Sequence, residues 1–305
     1  MESDTVVNDF HRAFAKRQIL MDDPDINVYR LFHGYSEGLP GVEVDVFDHV
    51  AVVRCRNKHK DDFKTFEKAL EALDFIDTIL AKTSDDEVVY LKGDRLNAPV
   101  VVNEYGLKMQ IECWQPRNPG LFIDARPIRQ WIRDNSKDIR VLNLFSFTGS
   151  LGLSAMLGGA KAVTHVDSQK RMLERCKSNH ELNQANIDHR DLVRLNIYKH
   201  ITRISKGPRY GGIVVDPPPY EPSGQKPSSI GYGSAALAPY CLPMLQDNGW
   251  MLCFFHYGSG IDDEEQKIID SSDGTLEIIW RGTSGDDYPE VDTTKKLRVT
   301  AFKKI

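Results

Sequence analysis

The chain has 305 residues, a formal net charge of −5, and 41% hydrophobic and 27% charged residues. This composition excludes a largely disordered chain, and no apolar run approaches the roughly 18 residues that a membrane helix needs. The charge is uneven, because residues 1–116 carry 14 lysines and arginines against 22 aspartates and glutamates, whereas residues 117–305 carry 25 against 22. We therefore expect any polyanionic partner to meet the second half of the chain.

The N-terminal sequence and the cysteines predict a cytoplasmic location. The acidic start Met1-Glu2-Ser3-Asp4 lacks the basic and apolar regions of an export signal. Five widely spaced cysteines form no C-x-x-C pair and no zinc-type spacing. We expect a cytoplasmic protein with reduced thiols, no membrane association and no metal.

The first 116 residues predict a small α+β domain. Apolar residues at helical spacing predict helices over 6–20 and 61–82. The turn sequence at 38–41 leads into a run in which valines alternate with polar residues, which predicts a β-hairpin over 42–53. Further strands are expected within 88–91 and 99–114.

The character changes after residues 115–120, where proline, asparagine and glycine interrupt the pattern. Residues 117–305 alternate short apolar runs with helical stretches. Strands are predicted at 140–146, 161–167, 191–197, 211–216, 249–256, 275–281 and 297–303. Helices are predicted at 149–158, 168–184, 198–206, 228–246 and 261–271. This alternation predicts an α/β domain with a parallel, doubly wound sheet that ends in an antiparallel hairpin.

The loop after the first of these strands is the expected ligand-binding loop, since ligands bind beyond the carboxyl ends of parallel strands. Ser146, Thr148 and Gly149 are small enough for close approach, but the loop lacks the three glycines of a pyrophosphate cradle. Asp167 ends the second strand, where a carboxylate binds the two hydroxyls of a ribose. This combination favours S-adenosylmethionine (SAM) over NAD. The alternative is that Asp167 only caps the following helix.

Two further segments extend this site. At the end of the third strand, Asn196 is placed to bind an adenine edge and Ile197 to pack on the ring. The fourth strand runs into Asp216-Pro217-Pro218-Pro219-Tyr220, where the prolines fix a rigid loop. An acid followed by two prolines and an aromatic residue is typical of methyltransferases. We assign catalytic roles to Asp216, Pro217, Pro218 and Tyr220.

In these motifs the chain resembles the bacterial large-subunit (23S) rRNA methyltransferases that include the cytosine-C5 and guanine-N7 enzymes. The matching segments, in family order, are 37–45, 103–108, 120–126, 143–150, 166–167 and 216–220. The resemblance implies a class I, Rossmann-like SAM domain over 117–305, a small N-terminal α+β domain over 1–116, and an RNA base as methyl acceptor.

The resemblance also carries over site residues. It implies that Phe122 and Asp124 contact the cofactor. The full set of predicted cofactor residues is Phe122, Asp124, Asn143, Phe145, Ser146, Thr148, Gly149, Asp167, Ser168, Asn196 and Ile197. Arg126 joins the site on the substrate side, with an ordinary ion pair as the open alternative.

Two departures from the family alter the expected chemistry. Only 27 residues precede the resemblance, so we expect no PUA-type RNA-binding domain. Cytosine C5 requires a cysteine nucleophile, but Tyr257 occupies its place in this sequence, and Cys253 lies mid-strand, where we expect it to be buried and inert. A nitrogen acceptor, which needs only positioning and orientation, is therefore favoured over carbon.

The acceptor side is expected to include His256, Tyr257, Lys226 and Tyr232. His256 and Tyr257 follow the fifth strand, and Lys226 and Tyr232 lie in the Gly/Pro/Ser-rich segment 221–234. The alternative for His256 is a histidine that only completes its hydrogen bonds at a strand end. The alternative for residues 221–234 is a plain disordered connector. For the whole protein, two other functions stay open: methylation of a small molecule or protein, and SAM binding without catalysis.

Overall fold

The computed structural model describes residues 3–218, 232–256, 261–292 and 295–305. The chain divides into two compact units, Met1–Ile123 with Gly285–Val291, and Asp124–Ser284 with Asp292–Ile305. Among the described residues, no helix combines the length and apolarity that crossing a membrane requires.

The first unit is an α+β structure. Its described helices are α1 (Ser3–Met21) and α2 (Phe63–Leu70). Its described strands are β1 (Val28–His33), β2 (Val42–Phe47), β3 (Val50–Cys55), β4 (Thr78–Thr83), β5 (Val88–Lys92), β6 (Val100–Glu104) and β7 (Leu107–Ile111). Strands β1 to β5 form one sheet in that order, and β6 pairs with β7 in a separate hairpin.

The hydrophobic pattern explains most of this unit. Val6, Phe10 and Phe14 lie on one face of α1 and are buried, with Phe10 stacked on Phe32 at 4.5 Å between ring centroids. The predicted hairpin over 42–53 is the antiparallel pair β2–β3. The helix predicted over 61–82 is wrong in its second half. That part forms β4, which pairs in parallel with β3. Pairing with a neighbouring strand overrides the helical spacing that continues across the turn.

The second unit carries the predicted α/β alternation. Its described helices are α3 (Arg126–Asp134), α4 (Ser150–Leu157), α5 (Lys170–Leu182), α6 (Ile197–Ile204), α7 (Ser234–Cys241) and α8 (Ile261–Asp270). Its described strands are β8 (Arg140–Leu144), β9 (Ala162–Asp167), β10 (Leu192–Arg194), β11 (Tyr210–Val215), β12 (Leu245–Phe255), β13 (Leu276–Gly282) and β14 (Arg298–Lys304).

These strands form one sheet in the order β10-β9-β8-β11-β12-β14-β13. The five strands from β10 to β12 are parallel, and β14 and β13 complete the sheet antiparallel, as predicted. The strand order reverses between β8 and β11, so the crevice for ligands lies at their carboxyl ends. The structure confirms the α/β, Rossmann-like fold.

Two hydrophobic clusters cover the two faces of this sheet. Leu142, Ile213 and Met251 belong to one cluster with α6 and α7, and Val141, Val214 and Leu252 belong to the other with α3 and α4. Alternate residues of one strand thus enter opposite cores, which explains the continuous apolar runs in the sequence. The helix predicted over 228–246 is observed only as α7 within the described residues, since Leu245 already begins β12.

Candidate functional site

The loop between β8 and α4 has an unusual backbone. Phe145, Phe147 and Gly149 all have positive φ, at 57°, 48° and 88°. The Gly149 N–H donates to the carbonyl of Ser146 over 2.8 Å, and the Ser146 N–H donates to the carbonyl of Val166 over 3.0 Å. A Cβ at Gly149 would overlap the Cys176 sulfur. Positive φ in two phenylalanines is strained, and such strain is concentrated at binding sites.

Asp167 at the end of β9 holds this loop in place. Its Oδ2 accepts a hydrogen bond from the Phe147 N–H at 2.9 Å, and its Oδ1 accepts one from the Gln169 N–H at 2.8 Å. Burial raises the pKa of the carboxyl group, and the N–H groups of Gln169, Phe147 and Ser168 oppose that rise. A carboxylate has about four lone-pair sites, so these N–H groups leave Asp167 able to accept a ribose hydroxyl. Capping and ribose binding are therefore compatible.

The loop also contains a buried hydroxyl group that makes no hydrogen bond to the described residues. Ser146 is only 5% exposed, and its Oγ has no hydrogen-bond partner among the described residues. An unsatisfied buried hydroxyl is costly unless a ligand or water completes it. Together with the remaining acceptor capacity of Asp167, this hydroxyl fits a polar, ribose-bearing ligand such as SAM.

Other predicted cofactor residues are deeper. Asn143 is fully buried on β8, with its amide nitrogen 3.3 Å from Nδ1 of His165. Thr148 is 1% exposed, and its carbonyl accepts a hydrogen bond from the Asn179 amide at 3.0 Å. Asn143 lies in the strand before the loop and Thr148 within the loop, and both hold the loop in place through these contacts. Ser168, by contrast, is exposed beyond Asp167.

The strand predicted over 191–197 is shorter, because β10 ends at Arg194 and Asn196 caps a helix instead of ending the strand. Its side-chain oxygen accepts a hydrogen bond from the Lys199 N–H at 3.1 Å, which makes Asn196 the N-cap of α6. Ile197 is 2% exposed and belongs to the hydrophobic core. The adenine contacts assigned to this pair stay predictions.

An aromatic series that includes one unpredicted residue lies at the same edge. The Tyr198 ring packs against Phe145 at 5.3 Å between centroids and against Tyr232 at 4.9 Å. The Tyr198 hydroxyl also accepts a hydrogen bond from the Gly233 N–H at 3.4 Å. Sequence reasoning missed Tyr198, although an aromatic residue directly after Ile197 was a usable signal. The series connects the loop after β8 to the segment before α7.

The chemical centre of the edge is a side-chain pair that joins two strands. Asp216 follows β11 directly, and its Oδ1 lies 2.8 Å from Nε2 of His256, which follows β12. Burial lowers the pKa of His256. The hydrogen bond to Asp216 and the negative charges of Asp216 and Asp124 outweigh burial, so the pKa is raised overall. His256 therefore interacts with two other predicted site residues, Asp124 and Asp216.

The described residues near this pair in the chain include a hydrogen-bonded serine, two prolines and a buried cysteine. Ser234 at the start of α7 donates its hydroxyl to the carbonyl of Phe254 at 2.8 Å. Pro217 is buried and Pro218 is exposed. Cys253 is fully buried in the core, and burial raises its thiol pKa well above the usual value. A thiol in that state is a poor nucleophile.

Five predicted site residues remain. Phe122 belongs to the first unit and is 50% exposed, while Arg126 is buried at the start of α3. Tyr220, Lys226 and Tyr257 lie outside the described residues.

A separate cluster of possible metal ligands lies in the core between β9 and α5. The ligand atoms of His165, Cys176 and His180 lie within 4.8 Å of one another. The two imidazoles are 3.0 Å apart between Nε2 atoms and hydrogen-bond to each other. Burial lowers the pKa of His180 to about 4, so the pair is neutral. The cluster is therefore explained without an ion, as a hydrogen-bonded histidine pair.

Relatives with similar sequences carry the name ribosomal RNA large subunit methyltransferase I. The chain is 29% identical over 299 residues to ribosomal RNA large subunit methyltransferase I of Pseudoalteromonas translucida, across 91% of this chain and 74% of that protein. The protein of the same name from Escherichia coli is 28% identical over 264 residues, across 83% of this chain and 67% of its own.

Solved structures share the fold. A candidate SAM-dependent methyltransferase from Streptococcus mutans superposes with a TM-score of 0.89 at 19% identity, across 99% of this chain and 82% of that one. A SAM-dependent methyltransferase from Agrobacterium tumefaciens gives a TM-score of 0.66 at 17% identity, across 92% of this chain and 90% of that one. Finally, the family model for S-adenosylmethionine-dependent methyltransferases matches residues 30–302, and the chain belongs to that family.

Proposed function

We propose that this SAM-dependent methyltransferase modifies a nitrogen atom of an RNA base, with a large-subunit rRNA as the substrate class. The names of the two relatives support RNA as the substrate. The observation that carries the nitrogen assignment is the Asp216–His256 hydrogen bond of 2.8 Å at the acceptor edge. The mildly basic second half of the chain is compatible with an anionic substrate.

The residues support a simple division of labour. Bound SAM supplies an electrophilic methyl group. Asp167 holds the ribose, and the strained loop around Phe147 and Gly149 shapes the pocket. Asp216, with the carbonyl of Pro217, orients the acceptor nitrogen and receives an N–H hydrogen bond where the acceptor is an amine. His256 fixes the Asp216 carboxylate through its own hydrogen bond. Orientation of an existing lone pair then suffices for transfer.

Carbon methylation finds less support in this arrangement. Attack on cytosine C5 requires prior addition of a thiolate to the ring. Cys253, the cysteine nearest in sequence to the acceptor edge, is fully buried and belongs to the core. We therefore infer that the acceptor does not pass through a covalent enzyme adduct.

A second candidate is methylation of a small molecule or a protein. Residues 1–116 carry an excess of eight negative charges, with 14 basic against 22 acidic residues, and this excess opposes strong RNA binding. The absence of a PUA domain and the cytoplasmic location also stay predictions.

The test is methyl transfer from labelled SAM into RNA of a strain that lacks the gene. We expect the wild-type protein to label large-subunit rRNA and Asp216→Asn to lower the rate by roughly 10²–10⁴-fold, the usual contribution of a positioned acid–base group. SAM affinity of the variant, measured by calorimetry, should be retained.

Nucleoside analysis of the labelled RNA identifies the acceptor atom. An N-methylated base supports the proposal, and 5-methylcytidine overturns the nitrogen assignment. Label that appears in protein or in small molecules, with RNA unlabelled, favours the second candidate instead.

A further inference from the structure

A stretch of the second unit is basic without interruption. Residues 192–215 contain five lysines and arginines and no aspartate or glutamate. All five side chains are exposed, and we call them the α6 ridge: Arg194, Lys199, Arg203, Lys206 and Arg209. The whole protein has a net charge of −5, so the positive charge of this segment is opposite in sign to that of the molecule.

Helix α6 carries two of these cations, Lys199 and Arg203, and a third, Lys206, lies in the turn that follows the helix. Ile197 and Ile201 turn into the hydrophobic core, which fixes the rotation of the helix. Lys199 and Arg203 are four residues apart, and this spacing places them in one row on the helix surface. The row is therefore set by the same packing that anchors α6 on the sheet.

The ridge also differs from other basic surfaces in how its charges are compensated. On α5 and α8, Lys177 pairs with Glu181 and Lys267 pairs with Glu264, each at 3.6 Å. No member of the ridge forms an ion pair with a carboxylate within the described part of the chain. Like charges in a row repel one another, so an anionic partner would relieve an unfavourable arrangement.

The ridge begins beside the site. Arg194 is in register with Asp167 across the β9–β10 pair, and its Nε donates to the carbonyl of Ser168 at 3.3 Å. Helix α6 starts at the carboxyl edge of the sheet, three residues beyond Arg194, and its eight residues extend about 12 Å away from that edge. A polyanion that reaches the methyl-transfer site at this edge would thus follow the row of cations.

We propose that the α6 ridge binds the phosphate backbone of the RNA substrate. This inference rests on the proposed RNA function and adds the surface that holds the nucleic acid. Lysine and arginine contacts to phosphates release counterions, give affinity independent of base sequence, and are strongly salt dependent. The ridge would supply the affinity, while the acceptor edge selects the base.

The test compares two triple variants that remove the same charge. The ridge variant is Lys199→Gln/Arg203→Gln/Lys206→Gln. The control is Lys177→Gln/Lys267→Gln/Lys295→Gln, whose lysines are 59–66% exposed and ion-paired. Affinity for a 23S rRNA transcript is measured by filter binding at several salt concentrations, with SAM affinity by calorimetry as a check of folding.

For three phosphate contacts, the slope of log K against log salt should become shallower by about 2, and affinity at 0.1 M salt should fall on the order of a hundredfold. The KM for RNA should rise while kcat is kept. The control variant should match the wild type in slope. Equal losses in the two variants would overturn the proposal, because net charge alone would then explain them.

The remaining outcomes separate the two proposals. If the wild type methylates RNA and the ridge variant retains full RNA affinity, the ridge is wrong and the RNA function stands. If the wild type binds SAM but neither binds nor methylates RNA, both proposals fail. Ridge-dependent binding to phosphatidylserine vesicles without binding to RNA would assign the surface to a membrane and overturn RNA as its occupant.

Discussion

The two halves of the site lie at the ends of neighbouring strands, yet they are held by different forces. At the cofactor edge, the Asp167 carboxylate accepts hydrogen bonds from two backbone N–H groups and fixes a loop with positive φ angles. At the acceptor edge, Asp216 is bound by the side chain of His256, a group that gains and loses a proton near neutral pH.

This difference separates geometry from protonation. Backbone N–H groups do not titrate, so Asp167, whose pKa is raised by burial, is the only titratable group in these loop contacts. The acceptor edge contains an imidazole whose charge depends on pH and whose pKa is raised by Asp216 and Asp124 against the effect of burial. We therefore expect binding of SAM and orientation of the acceptor to respond differently to mutation and to pH.

The sharpest way to break the cofactor edge is Asp167→Ala. The change removes the ribose acceptor and leaves the Phe147 and Gln169 N–H groups without their partner. SAM binding should weaken by roughly 1–3 kcal/mol, the cost of losing hydrogen bonds to a charged group. Isothermal titration calorimetry with SAM and S-adenosylhomocysteine measures this loss.

Asp247→Ala is the matched control, since Asp247 is 75% exposed in its side chain and pairs with Lys304 away from the loop. Its SAM affinity should equal that of the wild type. Unchanged affinity in Asp167→Ala would refute the ribose assignment and leave Asp167 as a structural cap.

At the acceptor edge, the contribution of His256 to stability should depend on pH. Because the pKa of folded His256 is raised above its unfolded value of 6.5, the protonated ring stabilises the folded state. That stabilisation is fully present below pH 6.5 and is lost as the pH rises through the folded pKa. In His256→Gln, the melting-temperature deficit relative to the wild type should thus be larger at acidic pH than at alkaline pH. The pH-dependent part should stay below about 1 kcal/mol.

Differential scanning calorimetry of both proteins between pH 5 and 9 measures this difference. His200→Gln, at an exposed position on α6, is the control for removal of an imidazole elsewhere in the unit. A deficit in His256→Gln that grows with rising pH would contradict the sign, and with it the charged pairing of His256 with Asp216.

The same contrast explains what sequence could predict of this molecule. Strands β8, β11 and β12 are recognisable because their alternate residues are buried in two cores, which leaves a continuous apolar run. The prediction of a helix over 61–82 was wrong at β4, because β4 forms by pairing with β3. The spacing of apolar residues along the chain carries no information about such a long-range interaction. Elements defined by their own residues were predictable, and those defined by a distant partner were not.

The site follows the same rule. Ser146, Gly149 and Asp216 could be predicted as site residues because they lie in local motifs at strand ends. The bond between Asp216 and His256 joins residues 40 positions apart, and no motif encodes it. Tyr198 likewise acquires its place only through contacts with Phe145 and Tyr232. The sequence thus predicts which residues reach the edge, and the fold decides which of them meet.

The smallest expected effect is on a residue that carbon chemistry would make essential. Cys253 is fully buried on β12, where its neighbours belong to the hydrophobic core. Cys253→Ala should leave kcat within about twofold of the wild type and cost on the order of 1 kcal/mol of stability, because only a small buried group is removed. Cys241→Ala, at another fully buried cysteine in the same core, is the control for that packing loss. Methyl-transfer rates and urea midpoints measure the two quantities separately. Abolished turnover in Cys253→Ala with normal turnover in Cys241→Ala would show that a thiolate takes part, and the acceptor edge would then have to work by covalent catalysis rather than by orientation.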